Sequence, residues 1–182
     1  MVYTCEYASP LGTIMLESDG EALTGLRFNG DGQSTAAAYG RREGRHISVF
    51  SEAERWLDIY FSGRAPGFTP PLRYVTTPFR RAVYEAVTAV PYGCTTTYGE
   101  ISKALARPYG AVRMSAQAAG GALGHNPILL IIPCHRVVGA GGNLTGYSGG
   151  LDRKARLLEL EGADMSRLIF PDKSSLCDNR KG

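Results

Sequence analysis

The residues best equipped for chemistry are Cys134 and His135, adjacent in the run Pro133-Cys134-His135-Arg136-Val137-Val138-Gly139. A thiol reacts as its thiolate, and with an ordinary pKa near ~8.5 only a few per cent is ionised at neutral pH, so a reactive cysteine needs a base. Histidine, titrating near ~6.5, can take that proton directly or through one water. Adjacent side chains do not readily face each other, which favours the water. An imidazole used this way needs an acid to fix its tautomer, and Glu161, near the end of the following helical segment, is the candidate. Adjacency alone also fits a core cysteine beside a packed histidine, because cysteine is among the most buried residue types. Cys5, Cys94 and Cys177 are widely spaced with no Cys-x-x-Cys pair, so neither a disulfide framework nor a zinc site is expected, and no metal or cofactor.

The elements that must position this pair fall into two groups. Val2–Tyr7, Thr13–Ser18 and Leu23–Phe28 are β-favouring runs separated by Ser9-Pro10-Leu11-Gly12 and Asp19-Gly20, which predicts a three-stranded meander. Ser51-Glu52-Ala53-Glu54 has the form of a capping box, and Trp56, Leu57, Tyr60 and Phe61 follow at helical spacing, predicting a helix over 51–62. Residues 63–75 hold three prolines and two glycines and read as a connection, giving a first domain at 1–75. Thr77-Pro78 then opens a helix with Phe79, Val83, Ala86, Val87 and Val90 on one face.

Thr97-Tyr98-Gly99-Glu100 is a second capping box, opening a helix that stops at Arg107-Pro108, and a further short helix runs from Ser115 to Leu123. Together they predict a helix-turn-helix. The second helix is almost all Ala and Gly, which means either tight packing inside the protein or close approach to another surface. Ile128–Ile132 is a buried strand or core segment leading to Cys134. Six glycines between Gly139 and Gly150 form a loop able to bring backbone N–H groups near a ligand, and Leu151–Glu161 returns to helical spacing with Leu157, Leu158 and Leu160 inward. The second domain spans 76–165, and a polar tail from 166 to 182 is expected to be loosely held.

The chain has 182 residues with a composition of 43% hydrophobic and 20% charged, which excludes a mostly disordered or collagen-like protein. No apolar run is long enough to span a bilayer and no basic-then-apolar leader opens the sequence, so the cytoplasm is the expected compartment and no membrane partner is expected. Net charge is +3, unevenly spread: −3 over residues 1–72, +4 over 73–113 and +2 over 114–182. That asymmetry is compatible with a polyanionic partner, and equally with solvated charged faces.

The run 133–139, followed by Gly146-Tyr147-Ser148-Gly149-Gly150 and Leu157-Leu158-Glu159-Leu160-Glu161-Gly162, closely resembles the active-site region of the O6-alkylguanine-DNA alkyltransferases, the methylated-DNA–protein-cysteine methyltransferases. The resemblance extends through Val90–Gly93, Tyr98–Ile101 and Gly120–Pro127, covering roughly residues 77–162. It implies an α/β (α+β) fold: a ribonuclease-H-like N-terminal sheet with a helix, then a mostly helical domain with a winged-helix-like helix-turn-helix and an active-site loop. It implies DNA repair by direct reversal, in which a monomer flips an O6-alkylguanine out of double-stranded DNA through the minor groove and transfers the alkyl group irreversibly to Cys134. Whether O4-alkylthymine is also accepted turns on pocket detail that sequence does not fix.

Residue by residue, the resemblance makes Cys134 the acceptor, His135 and Glu161 the relay that ionises it, and Tyr98 an acidic phenol that protonates the departing guanine. Asn126 would tie the helix-turn-helix to the active-site segment. Val137, Tyr147 and Ser148 would line the guanine pocket. Ser115, Ala116, Gln117, Ala118, Gly120, Gly121 and Arg136 would meet DNA, the small ones because the minor groove is only about 6 Å wide. Family members commonly carry arginine where this chain has Gln117, which fills the same space without charge. An S-alkylcysteine is a thioether with no electrophilic carbonyl for water to attack, so the transfer is expected to be stoichiometric. A cysteine hydrolase is the rival class, but no oxyanion-hole motif supports it. Alkyltransferase-like lesion binders typically lack the cysteine, and regulatory relatives carry an additional zinc domain.

Overall fold

The computed structural model describes residues 2–30, 41–43, 47–106 and 115–170. The predicted meander forms as β1 (Val2–Ser9), β2 (Gly12–Ser18) and β3 (Leu23–Phe28), antiparallel with Cys5 opposite Leu16 and Leu16 opposite Leu26. A fourth strand, β4 (Arg41–Glu43), pairs parallel with β1 and gives the order β3-β2-β1-β4. Three charged residues carry no alternation, so β4 leaves no mark in the pattern.

Helix α1 (Ser48–Phe61) begins three residues before the predicted start. Ser51 and Glu54 look like a capping box but lie inside the helix, and the real N-cap, Ile47, makes no side-chain cap. Val49 and Phe50 are the reason: both are buried against the sheet, and burying two large apolar side chains outweighs a cap. Their neighbours Trp56, Leu57 and Tyr60 complete the buried face.

The connection over 63–75 is zipped onto the sheet edge. Leu23 N–H donates to Pro71 O (2.8 Å) and Arg73 N–H to Leu23 O (2.9 Å). Farther along β3, Leu26 bonds Pro127 O and accepts from Leu129 N–H, so the active-site segment completes the same edge. One hydrophobic core runs through both parts of the chain, from Ile14 and Leu57 to Val83, Leu123 and Val137.

In the second part, α2 (Pro78–Thr88), α3 (Tyr98–Ala106) and α4 (Ala116–Leu123) pack on one another. The caps at Thr77 and Thr97 are those read from sequence, and Ser115, read as the first residue of its helix, is that helix's N-cap. Thr77 accepts from Arg80 N–H, and Ser115 from Ala118 N–H. Thr97 Oγ1 accepts from Glu100 N–H (3.1 Å) while Glu100 Oε2 accepts from Thr97 N–H (2.7 Å), a reciprocal box. The predicted stop at Arg107-Pro108 lies outside the described residues. A two-residue parallel pair, β5 (Thr96–Thr97) with β6 (Val137–Val138), joins the start of α3 to the chain just after Cys134.

Residues 128–132 are buried as a core segment and not as a strand: one bridge to Leu26 is followed by tight turns, with Leu130 at φ 68°. An apolar run specifies burial, not extension. The tail also departs from expectation over its described part. Leu168 is buried, Ile169 N–H donates to Gly142 O, and Leu144 N–H donates to Ile169 O. Gly142 permits this: its φ is +86° and a Cβ there would sit 2.0 Å from Arg167 O. Residues 171–182 lie outside the described residues. No described helix is long and apolar enough to cross a membrane.

Candidate active site

Cys134 opens a short 3-10 turn, Cys134–Arg136, placed between the buried 128–132 segment and β6. Asn126, two residues beyond the Gly124 cap of α4, holds this turn from behind. Its amide nitrogen donates to Ile132 O (2.8 Å) and to Cys134 Sγ (3.2 Å), and its oxygen accepts from Ile128 N–H (3.0 Å). One fully buried amide therefore links the end of α4 to the thiol, and sequence reasoning anticipated the tie but not the contact with sulfur.

His135 and Glu161 meet as expected. His135 is fully buried, and its Nε2 lies 2.7 Å from Glu161 Oε1. Because a carboxylate can only accept, Nε2 carries the proton and Nδ1 keeps the lone pair. Nδ1 has no protein hydrogen-bond partner among the described residues, leaving it the open basic site. Glu161 arrives from the C-terminal end of α5 (Leu151–Leu160) and receives four further hydrogen bonds: Tyr60 OH to Oε1, Arg136 Nε to Oε2, Arg136 Nη2 to Oε1, and Gly93 N–H to Oε2. Gly93 can come this close because it has no side chain: at φ +75°, a Cβ would stand 2.6 Å from Glu161 O.

Arg136 does not present itself to DNA. Its side chain is only 10% exposed, its Nη1 donates to Val90 O (2.7 Å), and the guanidinium lies over the Tyr92 ring. The fork geometry that suits arginine to phosphate is already taken up by a carboxylate.

Burial dominates the electrostatics. It pushes the Cys134 thiol up to about 11, against the opposing hydrogen bond from Asn126 and the charge of Lys154. It pushes His135 below its ordinary value, while Glu161 pulls the other way. Burial would also raise Glu161, but the hydrogen bonds and charges of His135 and Arg136 overcome it and hold that carboxyl at about 2. The resting site thus favours a neutral thiol beside a neutral, proton-accepting imidazole.

Lys154 was missed by sequence reading, because a lysine in an amphipathic helix counts as surface. Its side chain is wholly buried, with Nζ donating to Val137 O (2.6 Å) and Thr145 O (2.5 Å), and burial pushes its pKa down to about 8. It pins the glycine-rich loop to β6. Val137 O, on a residue expected to line the guanine pocket, thus already accepts one bond and has a second lone pair to offer.

A groove of about 620 Å³ opens beside this cluster, walled by Tyr98, Gly139, Thr145 and Gly146 on one side and by Ala116, Gln117, Gly120 and Gly121 of α4 on the other. Cys134 and Ser148 are not on its wall. On the groove wall, the Tyr98 phenol is held up to about 12 by burial, reinforced by Cys134. Its O–H donates to Gly146 O (3.0 Å) and Thr145 O (3.2 Å). Tyr147 stands edge-on to His135, with ring centroids 6.2 Å apart.

The two readings of the small-residue helix can be separated. Ala119, Ala122 and Leu123 face inward, whereas Ser115, Ala116, Gln117 and Gly121 are exposed and Ala118 and Gly120 half-buried. A methyl group added at Gly121 would meet nothing within 4 Å, and one at Gly120 only the Tyr98 ring at 3.6 Å. Internal packing does not require glycine at either position.

Fold and site together define an α/β protein built around one buried thiol with a histidine–glutamate relay, beside a groove walled by a helix of minimal side chains. Two family models match almost end to end: the ribonuclease-like domain of 6-O-methylguanine DNA methyltransferase over residues 1–74 and its DNA-binding domain over 78–163. The chain belongs to this family. It is 40% identical over 162 residues to the methylated-DNA–protein-cysteine methyltransferase of Methanosarcina acetivorans, covering 89% of this chain and 99% of the relative. The enzyme of the same name from Mycobacterium bovis is 40% identical over 161 residues, with 88% and 93% covered. Among solved structures, the O6-methylguanine methyltransferase of Mycobacterium tuberculosis matches at 38% identity and a TM-score of 0.76, covering 98% of this chain and all of the other. The same organism's OGT in complex with DNA matches with the same identity and TM-score over 91% and 94% of the two chains.

Proposed function

We propose that the protein repairs DNA as a methylated-DNA–protein-cysteine methyltransferase, moving the alkyl group of O6-alkylguanine onto Cys134 once per molecule. The observation that carries this is the burial of Cys134, His135 and Glu161 in one cluster, with His135 Nδ1 the open basic nitrogen, beside a groove whose helical wall carries almost no side-chain bulk.

In this reading the thiol proton passes through one water to His135 Nδ1, and Glu161 stabilises the imidazolium formed. The thiolate attacks the alkyl carbon, the S–C bond forms as the C–O6 bond breaks, and the electron pair leaves with guanine. Tyr98 gives up its loop carbonyls and donates its O–H to the departing base as negative charge develops, and the proton taken up by His135 replaces, through solvent, the one the base receives, so that guanine leaves neutral. Asn126 holds the sulfur, while Val137, Tyr147 and Ser148 bound the purine. Ser115, Ala116, Gln117, Ala118, Gly120 and Gly121 form the minor-groove face, with Gln117 filling the gap left by the flipped base. Arg136 belongs to the relay. In the same reading residues 1–75 and 76–165 serve as two domains that share one core, and a single chain in the cytoplasm, where thiols stay reduced, suffices for a stoichiometric transfer.

The test is intact mass after incubation with excess duplex containing O6-methylguanine. One methyl group per chain, located on the Cys134 peptide and absent from Cys134→Ala, is expected; several guanines restored per chain would overturn single use. Binding to undamaged duplex should be sequence-independent and weaken steeply with salt, measured by fluorescence anisotropy.

A further inference from the structure

The relay has a member from outside the second part of the chain. Tyr60, on α1, is fully buried, and its hydroxyl donates to Glu161 Oε1 at 2.8 Å while lying 3.3 Å from His135 Nε2. Its ring stacks on Trp56 (centroids 5.2 Å, 9°) and stands edge-on to Tyr92 and His135, so the hydroxyl is aimed by packing on several sides. A catalytic pair fully enclosed by its own domain would not need this contact.

We propose that Tyr60 is a positioning residue that sets the basicity of His135 by competing with it for one oxygen of Glu161. Oε1 accepts from Nε2–H, from the phenol and from Arg136 Nη2, and of these donors the phenol is the one supplied by α1. Each donor disperses part of the carboxylate's charge, so the Tyr60 bond weakens the hold of Glu161 on an imidazolium and keeps His135 neutral and able to accept a proton. The other groups facing His135 are fixed: Cys134 and Arg136 on its own turn, Lys154 on α5, Glu161 at the C-terminal cap of that helix, and the ring of Tyr147. Tyr60 alone among them comes from the N-terminal sheet-and-helix region. It stays a donor throughout the working range because burial, reinforced by Glu161, pushes its own ionisation far upward.

The proposal rests on the alkyl-transfer reading only for its kinetic arm. Tyr60→Phe keeps the ring and removes the hydroxyl. A charge-assisted hydrogen bond corresponds to roughly one pH unit. The acid limb of the pH–rate profile for Cys134 methylation by O6-methylguanine duplex should therefore move up by about that amount. The rate should fall about 5- to 10-fold on the acid side of the wild-type midpoint and stay within about 3-fold at pH 8. A purely structural role would slow the reaction equally at every pH, and that result, or an unmoved limb, overturns the proposal. In a Cys134→Ala background, the NMR titration of the His135 ring should rise by the same amount on Tyr60→Phe. This measurement decides the role of Tyr60 even if no alkyl transfer is found. Should Tyr60→Phe fail to fold, 3-fluorotyrosine at position 60, a stronger donor of nearly the same shape, should move limb and titration downward; no movement overturns the proposal.

Discussion

The two parts of the chain are built from different materials. Around the N-terminal sheet the buried residues are almost all apolar, from Ile14, Leu16 and Phe28 to Phe50 and Leu57, with Glu17 and Ser18 the polar exceptions among the described residues. Around Cys134 the interior holds Asn126, His135, Arg136, Lys154 and Glu161. An apolar core tolerates imprecise packing and still folds, whereas buried ions cost free energy unless every partner is in place. The first part is therefore a support whose stability is spread over many contacts, and the second concentrates consequence in a few atoms.

The sharpest way to break that contrast is Glu161→Gln. It leaves the Arg136 guanidinium buried without its counter-charge, so a loss of about 3–5 kcal/mol of stability is expected by urea denaturation, together with loss of transfer. Leu57→Ala should cost about 2–5 kcal/mol through a cavity, yet the folded fraction should transfer at the wild-type rate; a specific rate reduced tenfold would erase the distinction between the two parts. Acid should separate them too. Glu161 is held near 2 against an ordinary 4.5, so its contribution is present above about pH 5 and is lost as pH falls toward 2. Stability measured between those limits should fall less steeply in Glu161→Gln than in the wild type. The smallest effects concern caps: Thr97→Ala should cost about 1 kcal/mol, whereas Ser51→Ala, inside α1, should change stability by less than about 0.5 kcal/mol.

The same difference in materials governs how much the sequence reveals. Three strands, the five described α-helices and two of their caps follow from turn residues, spacing and capping signals, because those rules describe an apolar face against a polar one. They fail where tertiary burial overrides them, as at Val49 and Phe50, or where an ion is buried. Arg136 and Lys154 read as surface charges in any amphipathic pattern, and only the partners that converge on them from distant segments reveal otherwise. Tyr60 was legible as a core aromatic, but its hydroxyl's partner lies 101 residues away, beyond any local rule. Cys134, His135 and Glu161 were legible through motif resemblance and through the plain need of a thiol for a base.

The thiol is 3% exposed, and its sulfur rests against a fixed amide. A nucleophile that can be used only once must outlast long idle periods among oxidants and stray electrophiles, which consume thiolates that water can reach. Concealment and a suppressed charge give it that endurance. A neutral thiol is a weak nucleophile until its proton is taken, and that dormancy is part of how the molecule stays ready.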